Sequence, residues 1–288
     1  MIEKLLDRGY FMIAVNDRQR TDYVRLAYVT ALTIKLTQPQ GYNSVSIATT
    51  QVKYAQDLKL SWVFDNIIDY EGPKGMNSRS RAYEHTPYKE TVFIDGDFLF
   101  LNDVSHWWTH MQKHDLWCAT RPMTFRGDTM ESKYYRQVFL DNKLPDFYSG
   151  WLYFKQSRET TKFWDVMRAL TDYPETWKSQ LVNTNFESIP TDEACALAAK
   201  MLDMVEDMSD PALPFPRFTH MKPKCQDLGN AGDEWTDSIP FYYDNDLKIR
   251  LGPFLQQDIL HYTKKDLITD SFINLLEDKV WNLYKDIL

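Results

Sequence analysis

The sequence predicts an α/β fold in which a mainly parallel sheet is flanked by helices, all within one large domain. The chain has 288 residues, of which 43% are hydrophobic, and that is enough to bury a sizeable core. Short apolar runs alternate with amphipathic segments along the first half. Strands that alternate with helices favour parallel pairing, with helices covering both faces of the sheet.

In the first half, hydrophobic spacing predicts two helices and several strands. Residues 22–35 and 78–85 have a helical pattern. The apolar runs between them are predicted to be strands, at residues 10–15, 44–48, 62–68 and 91–94. In such sheets ligands bind at the carboxyl ends of the strands, so the residues that follow each strand are candidate site residues.

In the second half, strands and helices are mixed. Strands are predicted at 117–120, 150–154 and 248–251, and helices at 158–170 and 192–202. Residues 210–244 are rich in Pro and Gly, which predicts long loops with short strands. A last helix is predicted to begin at Thr269 or Asp270. Its apolar face comprises Ile273, Leu276, Val280, Leu283 and Ile287.

Composition excludes some classes of function and predicts the cellular compartment. The formal net charge of −8 argues against a broad basic surface for polyanions and leaves room only for a local basic groove. Cys118, Cys195 and Cys225 are widely spaced, which indicates neither a disulfide framework nor a structural zinc site and favours a reducing compartment. The sequence has no signal-peptide pattern and no stretch of about 20 apolar residues, so we expect a soluble cytoplasmic protein without a membrane partner.

The sharpest chemical signal is the run of residues 91–103, TVFIDGDFLFLND. An apolar strand leads directly into Asp95, Gly96 and Asp97, and two carboxylates one residue apart can converge on Mg²⁺ or Mn²⁺. Such a metal keeps open positions for phosphate oxygens and neutralises a departing nucleoside diphosphate. The alternative is a β-hairpin, because Asp-Gly between apolar runs is also a strong signal for a type I′ turn that needs no metal.

The segment before this strand adds a resemblance. Residues 79–97 resemble the segment that precedes the DxD motif in GT-A glycosyltransferases of the glycogenin and galactosyltransferase type. Arg79 stands where those enzymes usually have a lysine that contacts the donor phosphates, and arginine keeps that charge. The resemblance implies a GT-A fold, Mn²⁺ or Mg²⁺, and a nucleotide sugar, most simply a UDP-sugar. It divides the chain into a nucleotide-binding half (1–103), a sugar and acceptor half (104–265) and a C-terminal helix (266–288).

The same resemblance assigns binding residues at two further strand ends. Asn16 and Asp17 follow the first strand, where the family holds the nucleotide base, and Tyr23 is the nearest aromatic side chain for stacking on uracil. Ser149 and Gly150 match an Asn-Ser-Gly stretch that lines the sugar and acceptor pocket. This chain has Tyr148 in place of the asparagine, so the family's hydrogen bond to the sugar is either lost or made by the phenol.

Asp192 and Glu193 resemble the family's acidic or Asp-Gln pair beneath the donor sugar, and they are the candidate catalytic residues. Asp192 can bind sugar hydroxyls or stabilise positive charge at the anomeric carbon, and in an inverting enzyme one of the pair can be the general base. The equal alternative is that both residues only complement the dipole of the helix that they begin.

The family takes a third metal ligand from a histidine on a late strand, followed by a basic residue that contacts the diphosphate. Either His220, with Lys222, or His261, with Lys264, fits that description. We favour His261 because an apolar run leads into it and it precedes the last helix. A further histidine series at helical spacing is expected to lie on a half-exposed helix face without a metal: His106, His110 and His114.

The sequence is compatible with three functions. The favoured one is a metal-dependent glycosyltransferase. A sugar-phosphate nucleotidyltransferase would need a Gly-rich loop after the first strand, and residues 16–20 contain no glycine. A non-catalytic carbohydrate-binding protein would not need both aspartates.

The overall pattern also resembles glycosyltransferase-like proteins of tailed bacteriophages. This resemblance implies that the acceptor is a modified DNA base, flipped out of the duplex. A cell-surface glycan or a protein is an equal alternative as acceptor.

Overall fold

The computed structural model describes residues 5–15, 21–130, 136–184, 189–210, 212–213, 215–222 and 235–287. Its strands and helices, in chain order, are β1 (Leu6–Ile13), α1 (Tyr23–Thr37), β2 (Val45–Thr49), α2 (Val52–Gln56), β3 (Asn66–Asp69), α3 (Ala82–His85), β4 (Tyr88–Ile94), β5 (Phe98–Phe100), α4 (Trp107–Met111), β6 (Leu116–Thr120), α5 (Gln137–Asp141), β7 (Phe147–Lys155), α6 (Arg158–Asp172), α7 (Pro174–Lys178), α8 (Thr191–Met201), α9 (Val205–Met208), β8 (Thr219–His220), β9 (Phe241–Tyr243), β10 (Ile249–Leu251), β11 (Phe254–Leu255), β12 (Ile259–His261) and α10 (Asp270–Tyr284).

The main sheet has six strands in the order β3-β2-β1-β4-β7-β6. The first four are parallel to their neighbours, whereas β7 is antiparallel to both β4 and β6. Five of the six strands therefore run in one direction. The predicted fold class, an α/β fold with a mainly parallel sheet flanked by helices, is confirmed.

Both faces of this sheet are buried under helices. In β1, Tyr10 and Met12 belong to one apolar cluster and Phe11 belongs to another, as expected when successive side chains point to opposite faces. The first cluster includes side chains of α1, α4 and α10, and the second includes side chains of α6 and α8. Burial on both faces explains why these strands appear in the sequence as unbroken apolar runs.

Two predicted elements differ from the structure in type over part of their length. The strand expected at 62–68 is shorter, because residues Ser61–Val63 form a 3-10 turn and β3 begins only at Asn66. The helix expected at 78–85 is mostly the 3-10 helix Gly75–Arg81, followed by the short α3. Hydroxyls of Ser78 and Ser80 donate to carbonyls three residues earlier, each at 2.7 Å, and such side-chain bonds compete with regular α-helical pairing.

The last helix begins where the sequence predicts. The side chain of Thr269 caps α10 by accepting a hydrogen bond from the N–H of Phe272 at 3.2 Å. Ile273, Leu276 and Val280 are buried. Leu283 and Ile287, which the pattern also assigned to the buried face, are 53% and 80% exposed. The apolar cluster includes α10 side chains up to Val280, with Tyr284 packed against it, but not Leu283 in the last turn, and Ile287 lies beyond the end of the helix at Tyr284. Among the described helices, none combines the length and apolarity required to cross a bilayer.

The chain changes sheets between β4 and β5. β5 lies in a separate three-stranded sheet in the order β5-β12-β8, where β12 is antiparallel to β5 and parallel to β8. Asp95 and Asp97 therefore join two sheets and do not close a turn between paired strands. The hairpin alternative is wrong, and the change of sheet places His261 opposite Phe98 on one side and His220 on the other.

Candidate functional site

The two aspartates lie at the edge of the main sheet where the parallel strands end. Asp95 directly follows β4, and its N–H donates to the carbonyl of Gly150 in β7 at 3.2 Å. Its side chain is only 8% exposed. Because β7 is antiparallel to β4, the beginning of β7 lies at the same edge as the end of β4. The fold thus brings two sequence-predicted regions, residues 95–97 and 149–150, together.

His261 completes a group of possible metal ligands. Its Nε2 lies 3.1 Å from Oδ1 of Asp97 and 3.8 Å from Oδ2 of Asp95. One ligand atom from each of these three residues lies within 4.8 Å of the other two. In the part of the chain that the structure describes, no other group of three or more acidic, histidine or cysteine side chains has this geometry. Two carboxylates and one imidazole form a donor set that can hold a divalent metal ion.

The imidazole of His261 is held by ring contacts on its two sides. It stacks on Phe98, with ring centroids 4.4 Å apart, and makes a tilted ring contact with His220, at 4.3 Å. His220 Nδ1 accepts a hydrogen bond from the N–H of Lys222 at 3.1 Å. Burial, with the charges of His261 and Lys222, lowers the pKa of His220 well below its usual range. His220 lies beside the ligand group, which the geometry of the described residues forms from Asp95, Asp97 and His261.

Two cations lie against the two carboxylates. The Arg79 guanidinium is 2.8 Å from Oδ2 of Asp95, and the ammonium of Lys265 is paired with Oδ2 of Asp97. Burial raises the pKa of Asp95, and the charge of Arg79 opposes this. Burial also acts to raise the pKa of Asp97, but His261 and Lys265 outweigh it, so that pKa lies below its ordinary value. Both carboxylates thus have a positive partner at close range.

Cavities lie on two sides of this group. One, of about 200 Å³, is bounded by the end of β1 and the start of α1, where Val15 and Tyr23 line it, and by Lys265. The other, of about 240 Å³, is lined by residues at the start of β7 and α8, including Gly150 and Asp192. Arg79, Asp95 and Asp97 line both cavities. The acidic pair and Arg79 therefore lie between the two cavities.

Asp192 is fixed on the wall of the second cavity. The N–H and the hydroxyl of Ser149 both donate to its Oδ1, at 2.8 and 2.6 Å, and the Arg136 guanidinium lies 3.4 Å from its Oδ2. Asp192 also lies in the first turn of α8, so it complements the helix dipole while it faces the cavity. The two roles considered for Asp192 from the sequence, a contact to the sugar and a charge that complements the helix dipole, are therefore compatible.

Gly150 has a steric reason to be glycine. A Cβ at this position would lie 3.0 Å from Oδ2 and 3.4 Å from Cγ of Asp95. The first distance is shorter than ordinary van der Waals contact. A side chain here would push against a carboxylate of the ligand group, so the absence of one lets β7 lie close to Asp95.

Glu193 lies apart from its predicted catalytic partner. It is 3% exposed, lines neither of the two cavities, and its Oε2 has no hydrogen-bond partner among the described residues. Burial raises the pKa of Glu193 to about 7, against the charge of Arg136 and with that of Asp192. The structure therefore places Glu193 in the interior beside the site, and not on its surface.

Of two adjacent lysines, the sequence pattern favours Lys264 as the diphosphate contact, whereas the structure pairs Lys265 with an aspartate of the ligand group. Lys264 is paired with Asp237, whereas Lys265 is paired with Asp97 and lines the first cavity. Nothing in the pattern separates two consecutive lysines; the local 3-10 turn Lys265–Leu267 decides their directions. Asn16 and Asp17, the predicted base-binding residues, lie outside the described residues.

Sequence reasoning also did not identify Arg136. This side chain lies over the rings of Phe139 and Tyr148, at 3.5 and 4.5 Å from the ring centroids. It donates to Asp146 and to the carbonyl of Phe147, each at 2.7 Å. Arg136 belongs to no recognisable motif, and its role depends on contacts that only the fold creates.

The histidine series near α4 packs among aromatic side chains. The ring of His110 lies 4.7 Å from the rings of both Trp117 and Phe215, and His114 lies 4.5 Å from Trp117. Within the described residues, these histidines form no ligand group. These contacts of His110 and His114 are packing contacts with aromatic rings.

Comparisons with known proteins give structural similarity without sequence similarity. No protein-family model and no curated protein matches the sequence. The apo form of mouse xyloside xylosyltransferase 1 is 9% identical over 92% of this chain and 100% of its own, with a TM-score of 0.49. The apo form of the glycosyltransferase GlyE from Streptococcus pneumoniae TIGR4 is 10% identical over 97% of this chain and 63% of its own, also with a TM-score of 0.49. Activity and substrate have to be inferred from the site itself.

Proposed function

We propose that the protein is a metal-dependent glycosyltransferase that uses a nucleoside-diphosphate sugar, most simply a UDP-sugar, as donor. The observation that supports this most strongly is the position of Asp95, Asp97 and His261 between two cavities at the carboxyl edge of the sheet. A metal held there can contact a diphosphate that enters from the first cavity. The bond to be broken then faces the second cavity, where the acceptor enters.

The first cavity has the chemistry for the nucleotide. Tyr23, at the start of α1, offers an aromatic face for the base. Arg79 and Lys265 offer positive charge for the two phosphates, and arginine can bind phosphate in a bidentate manner. Asn16 and Asp17 remain the proposed base-binding residues on the segment that follows β1.

The second cavity has the chemistry for the sugar. The Oδ1 of Asp192 accepts two hydrogen bonds from Ser149, which fixes the carboxylate while Oδ2 stays near Arg136. Held in this way, Asp192 can accept hydrogen bonds from sugar hydroxyls and stabilise positive charge at the anomeric carbon. Tyr148 lines the same cavity where the resembled family has asparagine.

When bound, Mn²⁺ or Mg²⁺ supplies positive charge to the departing diphosphate. Asp95, Asp97 and His261 hold the ion. Arg79 and Lys265 add positive charge at the same leaving group, so that negative charge that develops on it is balanced from the side of the first cavity. The burial of both aspartates keeps bulk water from screening these charges.

Substitution of Asp97 by Asn tests this proposal. Loss of one charged ligand should reduce metal-dependent release of UDP from a nucleotide sugar by about 100-fold or more. The measurement is a screen of nucleotide sugars for Mn²⁺-dependent UDP release, with Asp57→Asn, a surface carboxylate paired with Lys53, as matched control. Undiminished turnover in the Asp97 variant would reject the proposal. The same assay with a nucleoside triphosphate and a sugar phosphate would detect nucleotidyl transfer instead.

A further inference from the structure

Each carboxylate of the ligand group already has a cationic side chain as partner. Arg79 is 2.8 Å from Asp95, and Lys265 is paired with Asp97. These cations come from separate elements, the 3-10 helix Gly75–Arg81 and the turn Lys265–Leu267. Two negative and two positive side chains give the group no net charge, which is a stable arrangement for charged groups that are largely buried.

The same cations line the cavity that we assign to the diphosphate. Arg79 and Lys265 are both among the residues of the first cavity. The Lys265 side chain is 29% exposed, and its ammonium also donates to the carbonyl of Tyr262 at 3.1 Å. Lys265 is thus able to exchange one anionic partner, Asp97, for another in the cavity without leaving its place in the chain.

We propose that Lys265, with Arg79, competes with the metal for the two aspartates, so that metal and nucleoside diphosphate each bind tightly only when the other is present. A divalent ion that binds alone leaves two cationic side chains and the ion around two carboxylates, which is an excess of positive charge in a buried site. A diphosphate supplies the missing negative charge and accepts the displaced lysine and arginine. This proposal rests on the proposed function and adds a role for Lys265 against metal binding.

If Lys265 competes with the metal, removal of its charge affects the binding of Mn²⁺ and of UDP in opposite directions, whereas a lysine that contacts only phosphate would affect UDP binding alone. Removal of the Lys265 charge should strengthen Mn²⁺ binding to the protein alone, because Asp97 loses its competing partner. The same change should weaken UDP binding, because the phosphate loses a cation. Opposite effects on the two ligands are the signature of an exchange of partners. The coupling is reciprocal, so Mn²⁺ and UDP must raise each other's affinity by the same factor.

Calorimetric titration tests this with Lys265→Met. Lys264→Met is the matched control, because it removes the same charge one residue away from an ammonium that pairs with Asp237 and Asp266 instead. Mn²⁺ and UDP are titrated separately and each in the presence of the other. In the wild type and in the control, UDP should raise Mn²⁺ affinity by about 5- to 150-fold. In Lys265→Met, Mn²⁺ alone should bind about fivefold tighter or more, and the gain from UDP should shrink.

Equal or weaker binding of Mn²⁺ alone to Lys265→Met than to the wild type would overturn the competition while leaving the glycosyltransferase proposal intact. An equal gain in the Lys264→Met control would overturn it as well, because the effect would then come from net charge. If the wild-type protein does not bind Mn²⁺, and does not bind UDP even when Mn²⁺ is added, the proposed function fails together with the inference. Lys265→Gln, which keeps a polar side chain of similar length, guards against a folding defect of the methionine variant and should give the same shifts.

Discussion

At the scale of single residues, the site consists of charged groups whose burial decides their behaviour. Asp95 and Asp97 are one residue apart, yet their pKa values shift in opposite directions, since burial prevails at Asp95 while His261 and Lys265 prevail at Asp97. A single neighbour can also decide residue type: Gly150 leaves the space that the Asp95 carboxylate fills. The two aspartates look equivalent in the sequence motif, but their different neighbours give them different electrostatic environments.

Glu193 leads to a prediction about stability and pH. Its pKa is raised from 4.5 to about 7 by burial, against Arg136 and with Asp192. Because the folded-state value is above the unfolded one, its contribution to stability is fully present below pH 4.5 and is lost as the pH rises through 7. Glu193→Gln keeps the shape of the neutral acid and cannot ionise. Relative to wild type, its free energy of unfolding should therefore improve by on the order of 2 kcal/mol between pH 5 and pH 8.

Urea unfolding of both proteins at the two pH values measures this difference, since other titrating groups are common to both. Glu159→Gln, at an exposed carboxylate on α6, serves as control and should show no comparable gain. Parallel pH dependence in wild type and Glu193→Gln would mean that Glu193 is ionised in the folded protein, and its interior position would need another explanation.

At the scale of elements, three segments meet to place Asp192. The segment before α5 provides Arg136, β7 provides Ser149, and the first turn of α8 provides Asp192 itself. Arg136 holds its partners with two nitrogen atoms and lies against two aromatic rings. A planar, bidentate guanidinium makes these contacts together, and an ammonium does not. Arg136 is thus a positioning residue for Asp192.

Arg136→Lys should lower kcat for sugar transfer by between about 10- and 100-fold, because Asp192 would no longer be held in place. The affinity for UDP and Mn²⁺ should stay near that of wild type, since those ligands contact the first cavity and the metal group. Steady-state kinetics and UDP titration separate the two quantities. Equal losses in kcat and in UDP affinity would indicate a general structural defect, and unchanged kcat would show that Asp192 needs no such support.

At the scale of the whole molecule, the sheet and the acidic motif were predictable, because unbroken apolar runs mark strands that are buried on both faces and carboxylates at a strand end are conspicuous. The small sheet that brings His261 to Asp97 was not, because its strands β5, β8 and β12 have only two or three residues each and depend on pairing between distant segments. The choice of Lys265 over Lys264 and the contacts of Arg136 depend on the same long-range geometry. Long, regular patterns predict elements, whereas short strands and side-chain directions follow from tertiary packing.

The proposed function requires that Asp95, Asp97 and His261 hold a divalent ion against a nucleoside diphosphate. Crystals of the protein with Mn²⁺ and UDP, measured for anomalous scattering at the manganese edge, test it most directly. We predict one strong manganese peak within coordination distance of both aspartates, His261 and phosphate oxygens of UDP, with the base in the first cavity beside Tyr23. A manganese peak elsewhere, or UDP bound with no manganese between these three side chains, would contradict the claim.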